Sequence, residues 1–163
     1  DQAALARVAA DVDAAVRSPL LVVRIWRSDH MIVRARLLLA ASRAADQPEL
    51  LLAKVEQAVE SIGEVGLECH VDHARMLSAA VAARRGDRAL AIELLDPILA
   101  DADMVGDSRI LLACARLRRG QLVGGELGAA LVRQGERALA AHGVKDPKRF
   151  ARVYSPGFDD TGE

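Results

Sequence analysis

The chain has 163 residues, enough for one domain with a substantial core, and 52% of them are hydrophobic. Only 2% are aromatic, so the core must be aliphatic, built from closely packed Ala, Leu and Val. The net charge of −1, from 22 basic and 23 acidic residues, excludes a global field that would draw in nucleic acid or an anionic membrane.

Alanine and leucine are strong helix formers, and β-branched runs are short, so the expected class is all-α. The bases are nearly all arginine; the lysines are Lys54, Lys145 and Lys148. Coding bias accounts for that, although arginine also suits bidentate capture of carboxylates. Cys69 and Cys114 do not make a disulfide framework. Each sits in an apolar helical context and reads as a buried, reduced thiol. The expected location is therefore cytoplasmic. No secretory leader pattern opens the chain, and the longest apolar runs, such as 37–41, are too short to span a bilayer. The missing initiator Met suggests a piece of a longer polypeptide.

In chain order, residues 2–17 place Leu5, Val8, Ala9, Val12 and Val16 on one helical face. Ser18 and Pro19 form a stop and restart, as N-cap and first helical residue. A long helical stretch follows over 20–44, with a possible restart at Ser28-Asp29. It contains Trp26, the chain's one tryptophan, read as an inter-helix filler or, less simply, a stacking platform. The corner Asp46-Gln47-Pro48-Glu49 opens a helix to about Ser61 with Leu51, Leu52, Val55, Ala58 and Val59 inward, and Gly63 and Gly66 break it. Residues 67–85 form the next helix, stopped by Gly86. Asp87 starts another, which Pro97 should kink or end early. Gly106 and Asp107 close that unit, with Asp107 or Ser108 as the next cap. A helix from 108, a Gly124-Gly125 corner, a helix over 127–142 and a glycine stop at Gly143 come next. Asp146 and Pro147 then begin a short helix that carries Phe150 and Tyr154 and leads to Phe158. Three of the four aromatics thus lie in the closing segment, which reads as a lid on the end of the stack or, alternatively, an exposed docking site. Residues 1–158 read as one helical-repeat domain, and 159–163 as a flexible acidic tail.

The corners at 45–46, 86–87 and 124–125 recur about every forty residues, the signature of stacked helical hairpins. Each hairpin has an apolar face that it cannot bury alone, so neighbours stack. Within this array, ARRGDRALAIELL resembles the inner corner of a tetratricopeptide repeat. Gly86 and Asp87 make the corner, with Ala91 and Ala79 at the small positions where the two helices cross. Leu38 and Leu50 are large at equivalent places, and the last unit has Gly124-Gly125-Glu126, which makes this a degenerate, tetratricopeptide-like array.

A second resemblance rests on Arg119-Gly120-Gln121-Leu122, Gly124-Gly125, Gly143-Val144, Asp146-Pro147, Arg149 and Pro156-Gly157-Phe158. This pattern is similar to the C-terminal helical-repeat regions of large bacterial signalling proteins, in particular eukaryote-like Ser/Thr protein kinases. It implies a sensory or docking region and no kinase activity here. The chain has no kinase Gly-rich loop, catalytic-loop His-Arg-Asp or Asp-Phe-Gly.

Catalytic and metal chemistry find little purchase. Glu68, Cys69, His70, Asp72 and His73 are the densest donor group; Cys69 or His70 can share a face with His73, but the three or four donors of a metal site would need another helix to contribute, through Cys114 or His30. Cys69 with His73 has no recognisable orienting group or oxyanion hole. The Gly124-Gly125 corner lacks the lysine and preceding strand of a phosphate loop. The expectation is no enzyme, no metal and no cofactor.

If the corners set the register, the first helix of each hairpin turns Arg36, Arg43, His73, Arg84 and Arg118 toward the concave side. Such a groove suits an acidic peptide or an intramolecular segment, including an upstream domain of the same polypeptide. Nucleic acid is disfavoured by the neutral balance and the lack of interleaved aromatics. The expected function is non-catalytic protein–protein interaction or regulatory docking in a signalling protein, with a small-ligand sensor binding between hairpins as the alternative.

Overall fold

The structure is a computed structural model, which describes residues 2–15, 18–100 and 108–158. Among them are eight α-helices: α1 (Gln2–Ala15), α2 (Arg24–Ala41), α3 (Pro48–Val65), α4 (Glu68–Arg84), α5 (Arg88–Ala100), α6 (Ser108–Val123), α7 (Gly125–Ala141) and α8 (Pro147–Tyr154). A 3₁₀ turn over Pro19–Val22 precedes α2. The class is all-α, with α2–α3, α4–α5 and α6–α7 packed as sequential antiparallel hairpins. Successive hairpins meet through α3–α4 and α5–α6, and the first helices touch in the order α2, α4, α6.

Local chemistry sets most boundaries. Ser18 caps the 3₁₀ turn by accepting from the Leu20 amide at 3.3 Å, with Pro19 first in the turn. Val23 is extended, so α2 starts only at Arg24. Ser28 lies buried inside that helix rather than restarting it. Helix α3 runs four residues past the expected stop, straight through Gly63, and ends at Gly66, whose φ of +66° a residue with a Cβ adopts only with strain.

Helix α4 ends as the sequence predicts. Gly86 takes the left-handed position, its amide donates to Ala83 O, and the Asp87 amide reaches Ala82 O, the paired bonds of a Schellman stop. Asp87 accepts from the Leu90 amide at 3.0 Å and so caps α5. Pro97 does not end α5, which continues to Ala100. Its ring is on the exposed face, where water can serve the carbonyl that loses its donor. The Gly106-Asp107 closure and the 159–163 tail lie outside the described residues. Gly143 repeats the Schellman stop at the end of α7, and Asp146 caps α8 by accepting from the Arg149 amide at 2.9 Å.

The core is aliphatic, as the composition requires: Leu39, Leu52, Val55, Ile62, Leu77, Leu95, Ile98, Leu111, Leu117 and Leu139, with Ala79, Ala80, Ala91 and Ala113 at helix crossings. The tightest seam joins α6 to α7. A Cβ on Gly128 would lie 2.4 Å from Gly120 O, and one on Gly135 would lie 2.6 Å from Ala113 O. The two backbones approach so closely because these positions carry no side chain. Exposed helix faces are cross-braced. Arg85 donates to both Glu56 oxygens (2.6 and 3.0 Å) and to Glu49 (3.1 Å), tying the end of α4 to α3. Arg119 meets Asp96 at 2.6 Å across α5–α6. These bidentate contacts hold the Glu56 carboxyl below the usual range and the Arg85 guanidinium above its own.

Candidate functional site

The first helices of the three hairpins, α2, α4 and α6, share one face, and the chain's own C-terminal segment lies on it. Helix α8 contacts α2, α6 and α7. Beyond α8, residues 155–158 are all buried. Gly157 sits between α2 and α4: a Cβ there would lie 3.1 Å from Leu39 Cδ2 and 3.0 Å from Ala80 Cβ. The short C-terminal helix is therefore present, but its position is more central than a lid over the end of the stack.

Two clusters hold it. At the first, Arg36 of α2 points its guanidinium at the Tyr154 ring, 4.0 Å from the centroid, and approaches His73 Nδ1 of α4 at 3.3 Å. A guanidinium only donates, so His73 Nδ1 must be the unprotonated acceptor. Burial, then the charge of Arg36, then that of His70 push the His73 pKa down to about 4. Neutral His73 thus suits a site where a second cation would be repelled. Tyr154 also stacks on Phe150 at 5.4 Å and lies 6.3 Å from the His73 ring. Behind it, His70 Nε2 meets Asp29 at 3.0 Å, which joins α4 to α2.

At the second cluster, Arg118 of α6 is only 1% exposed. Its Nε donates to Ser155 O (3.0 Å) and Ser155 Oγ (3.1 Å), and its Nη2 to Ala151 O (2.8 Å). Its Nη1 donates to Gln121 Oε1 at 2.8 Å. Ser155 Oγ in turn donates to Ala151 O at 3.0 Å. Ala151 O also accepts the Ser155 amide, the closing bond of α8, and these carbonyls lie at the negative end of the helix dipole. Phe158 packs nearby, 2% exposed, with its ring 5.4 Å from the Arg118 guanidinium carbon. Cys114 lies beside Ser155; burial pushes its thiol up to about 11, against smaller opposing effects of Arg118, Ser155 and Arg36. It is a neutral packing group and no nucleophile at ordinary pH.

The four arginines and one histidine expected to line a groove thus divide. Arg36, His73 and Arg118 converge on the C-terminal segment. Arg43 stands exposed just beyond α2, and Arg84 lies half-buried at the last residue of α4. Arg118 needs correction as an open groove residue: it is buried beneath α8, with main-chain carbonyls among its acceptors. Two other arginines do the same job, Arg24 on Val65 O at the end of α3 and Arg88 on Val123 O (2.8 Å) at the end of α6. Sequence reasoning noted the spacing of Phe150, Tyr154 and Phe158 but missed their partners, as well as Ser155 and the His70–Asp29 pair. Nothing in a linear pattern pairs residues 118 and 155.

The remaining sequence-level candidates separate in space. Cys69 is exposed while its neighbour His70 is buried, because the inward stripe of α4 runs through His70, Leu77 and Ala80. Among the described residues, no group of three His, Cys, Asp or Glu side chains converges as a metal site. Trp26 is 48% exposed in the first turn of α2, not an inter-helix filler. An apolar cleft of about 280 Å³ lies between α3, α4 and α5, lined by Val59, Ile62, Leu67, Val71 and Leu94. A wider, open cleft near His30, Arg27 and Arg34 borders the 3₁₀ turn. Neither cleft is lined by Trp26 or His73.

No family model matches this chain, and no curated protein or solved structure matches it. Among the described residues, no helix is long and apolar enough to cross a membrane.

Proposed function

We propose that this chain is a non-catalytic, tetratricopeptide-like docking module whose inner face takes a short helix running into an extended segment. Its C-terminal segment occupies that face here as an intramolecular ligand. The observation that carries the reading is Arg118, whose guanidinium reaches from α6 to Ala151 O and Ser155 O of the closing segment. The Arg36–Tyr154 contact adds side-chain recognition. The Gly86, Asp87 and Ala91 corner supports the repeat assignment, and the resemblance to helical-repeat regions of bacterial signalling proteins supports a regulatory setting. Between the two ligands expected from sequence, an acidic peptide and an intramolecular segment, the contacts favour the second.

A docked segment should loosen without the body it rests on. Arg36→Glu removes the cation over Tyr154 and sets a carboxylate against the ring face. Hydrogen exchange of amides 151–158 should quicken by about tenfold or more, the response of a locally opening unit, while the amides of α4–α7 keep their protection. Parallel loss of protection in both places would make the segment part of one cooperative core and end the docking reading.

A further inference from the structure

Away from the inner face, we propose a second site: the cleft between α3, α4 and α5 binds a straight-chain carboxylate of about eight carbons. The cleft lies where the first two hairpins meet, through α3 and α4. Its volume is about 280 Å³ and its walls are mainly apolar. Pockets for drug-sized ligands run from roughly 300 to 1,000 Å³, so the occupant is smaller than those. Shape favours a chain over a ring. Leu67, Val71 and Ser78 line the groove from α4, four and seven residues apart and so on one helical face. At the rise of a helix they span about 16 Å. Val59, Ile62 and Gly63 line it from α3, and Leu94 contributes from α5.

Two observations set this groove apart from ordinary packing. Gly63 lies inside α3 without a positive φ, and a Cβ there would meet nothing within 4 Å. Gly120, Gly128 and Gly135 lack side chains where two backbones touch, but Gly63 has no such neighbour. Glycine weakens a helix interior, and the effect it does have here is to keep the groove open. Val71, an apolar side chain on the groove wall, is 44% exposed, so the fold itself leaves it uncovered.

The polar groups of the groove suit a carboxylate head. Arg75 and Ser78 both line it, one turn apart on α4. Arg75 Nη1 meets Asp72 at 2.7 Å, and the arginine side chain stays 42% exposed. A guanidinium carries five N–H donors in a planar fork, so it can serve a second carboxylate alongside Asp72. The Ser78 hydroxyl supplies a further donor. Asp72 offsets part of the Arg75 charge, so the chain provides most of the affinity and the head sets its direction.

Sodium octanoate titrated into the isotope-labelled chain and followed by amide NMR tests the site. Binding should saturate at one equivalent with a Kd on the order of millimolar. The shifts should centre on residues 59–78 and 94. Gly63→Leu puts a better helix former over the groove and should weaken binding by about tenfold or more, with thermal stability kept or raised. Val71→Asp sets a carboxylate on the exposed wall and should weaken it by about as much. Octan-1-ol should bind about threefold more weakly than octanoate, the scale of an exposed charged contact, and Arg75→Gln should remove that preference. Shifts that never saturate, or equal binding by the native chain and both groove variants, would refute the site. Equal affinity for octanoate and octanol would refute the carboxylate class. A dimer in sedimentation that Gly63→Leu dissociates would put a second copy of the chain in the groove and overturn the ligand.

Discussion

The two ends of the hairpin stack treat their large apolar residues in opposite ways. At the C-terminal end, Ala151, Pro156, Gly157 and Phe158 are buried against α2, α4 and α6. At the N-terminal end, Leu20, Val22, Val23, Ile25 and Trp26 are exposed, Val22 by 86%. The difference lies in polar satisfaction as much as in apolar area. The C-terminal segment brings main-chain carbonyls that Arg118 can satisfy, so it can leave water. Burying a phenylalanine contributes roughly 2–3 kcal/mol, which is secure only if the carbonyls beside it keep donors. Beside the 3₁₀ turn, Arg24 serves Val65 O from an exposed position, and the apolar side chains of the turn stay at the surface.

The largest expected effect breaks the sealed end. Arg118→Met keeps the aliphatic stem but removes the donors to Ser155 O and Ala151 O. The loss should be about 3 kcal/mol, the scale for stranding buried partners of a charged group. Urea unfolding measures it, and a loss below about 0.5 kcal/mol, the range of ordinary surface changes, would show that the seal does not depend on this residue.

A smaller effect comes from acid. The His73 pKa falls from 6.5 in the unfolded chain to about 4 in the fold, so the folded state favours the neutral ring. Its contribution is complete above about pH 6.5 and is lost as pH falls toward 4. The size is on the order of 2–3 kcal/mol. His73→Gln, a neutral side chain at all pH values, should flatten that part of the stability–pH curve. An unchanged slope would place the acid sensitivity elsewhere.

The smallest effect belongs to the open end. Trp26→Ala should change stability by less than about 0.5 kcal/mol, as expected for an exposed residue. Thermal unfolding settles it: a drop as large as that of Arg118→Met would mean that the tryptophan is covered in solution.

Much of this was legible in the linear chain. The hairpin corners, the Ser18, Asp87 and Asp146 caps and the stops at Gly86 and Gly143 all follow from residues a few positions apart. Such features depend on local backbone geometry, which sequence encodes directly. Helix periodicity was also enough to turn Arg36 and His73 toward the same side. Less legible was any feature where solvent access decides. Pro97 sits inside α5 because its face is exposed. Cys69 is exposed and His70 buried because the inward stripe of α4 passes through the histidine. Trp26 is a large apolar residue that composition would send inward, yet about half of its surface is exposed in the first turn of α2.

By itself, then, the sequence determined an all-α chain of three hairpins ending in a short aromatic helix, because caps, breakers and apolar period act over one or two turns. Only the tertiary structure decided what the inner face holds. Arg118 and Ser155 lie far apart along the chain and meet through the stacking of α6 against the returning segment. The Arg118 guanidinium, expected to line an open groove, is buried with two main-chain carbonyls among its acceptors, because a charge leaves water only where donors and acceptors match.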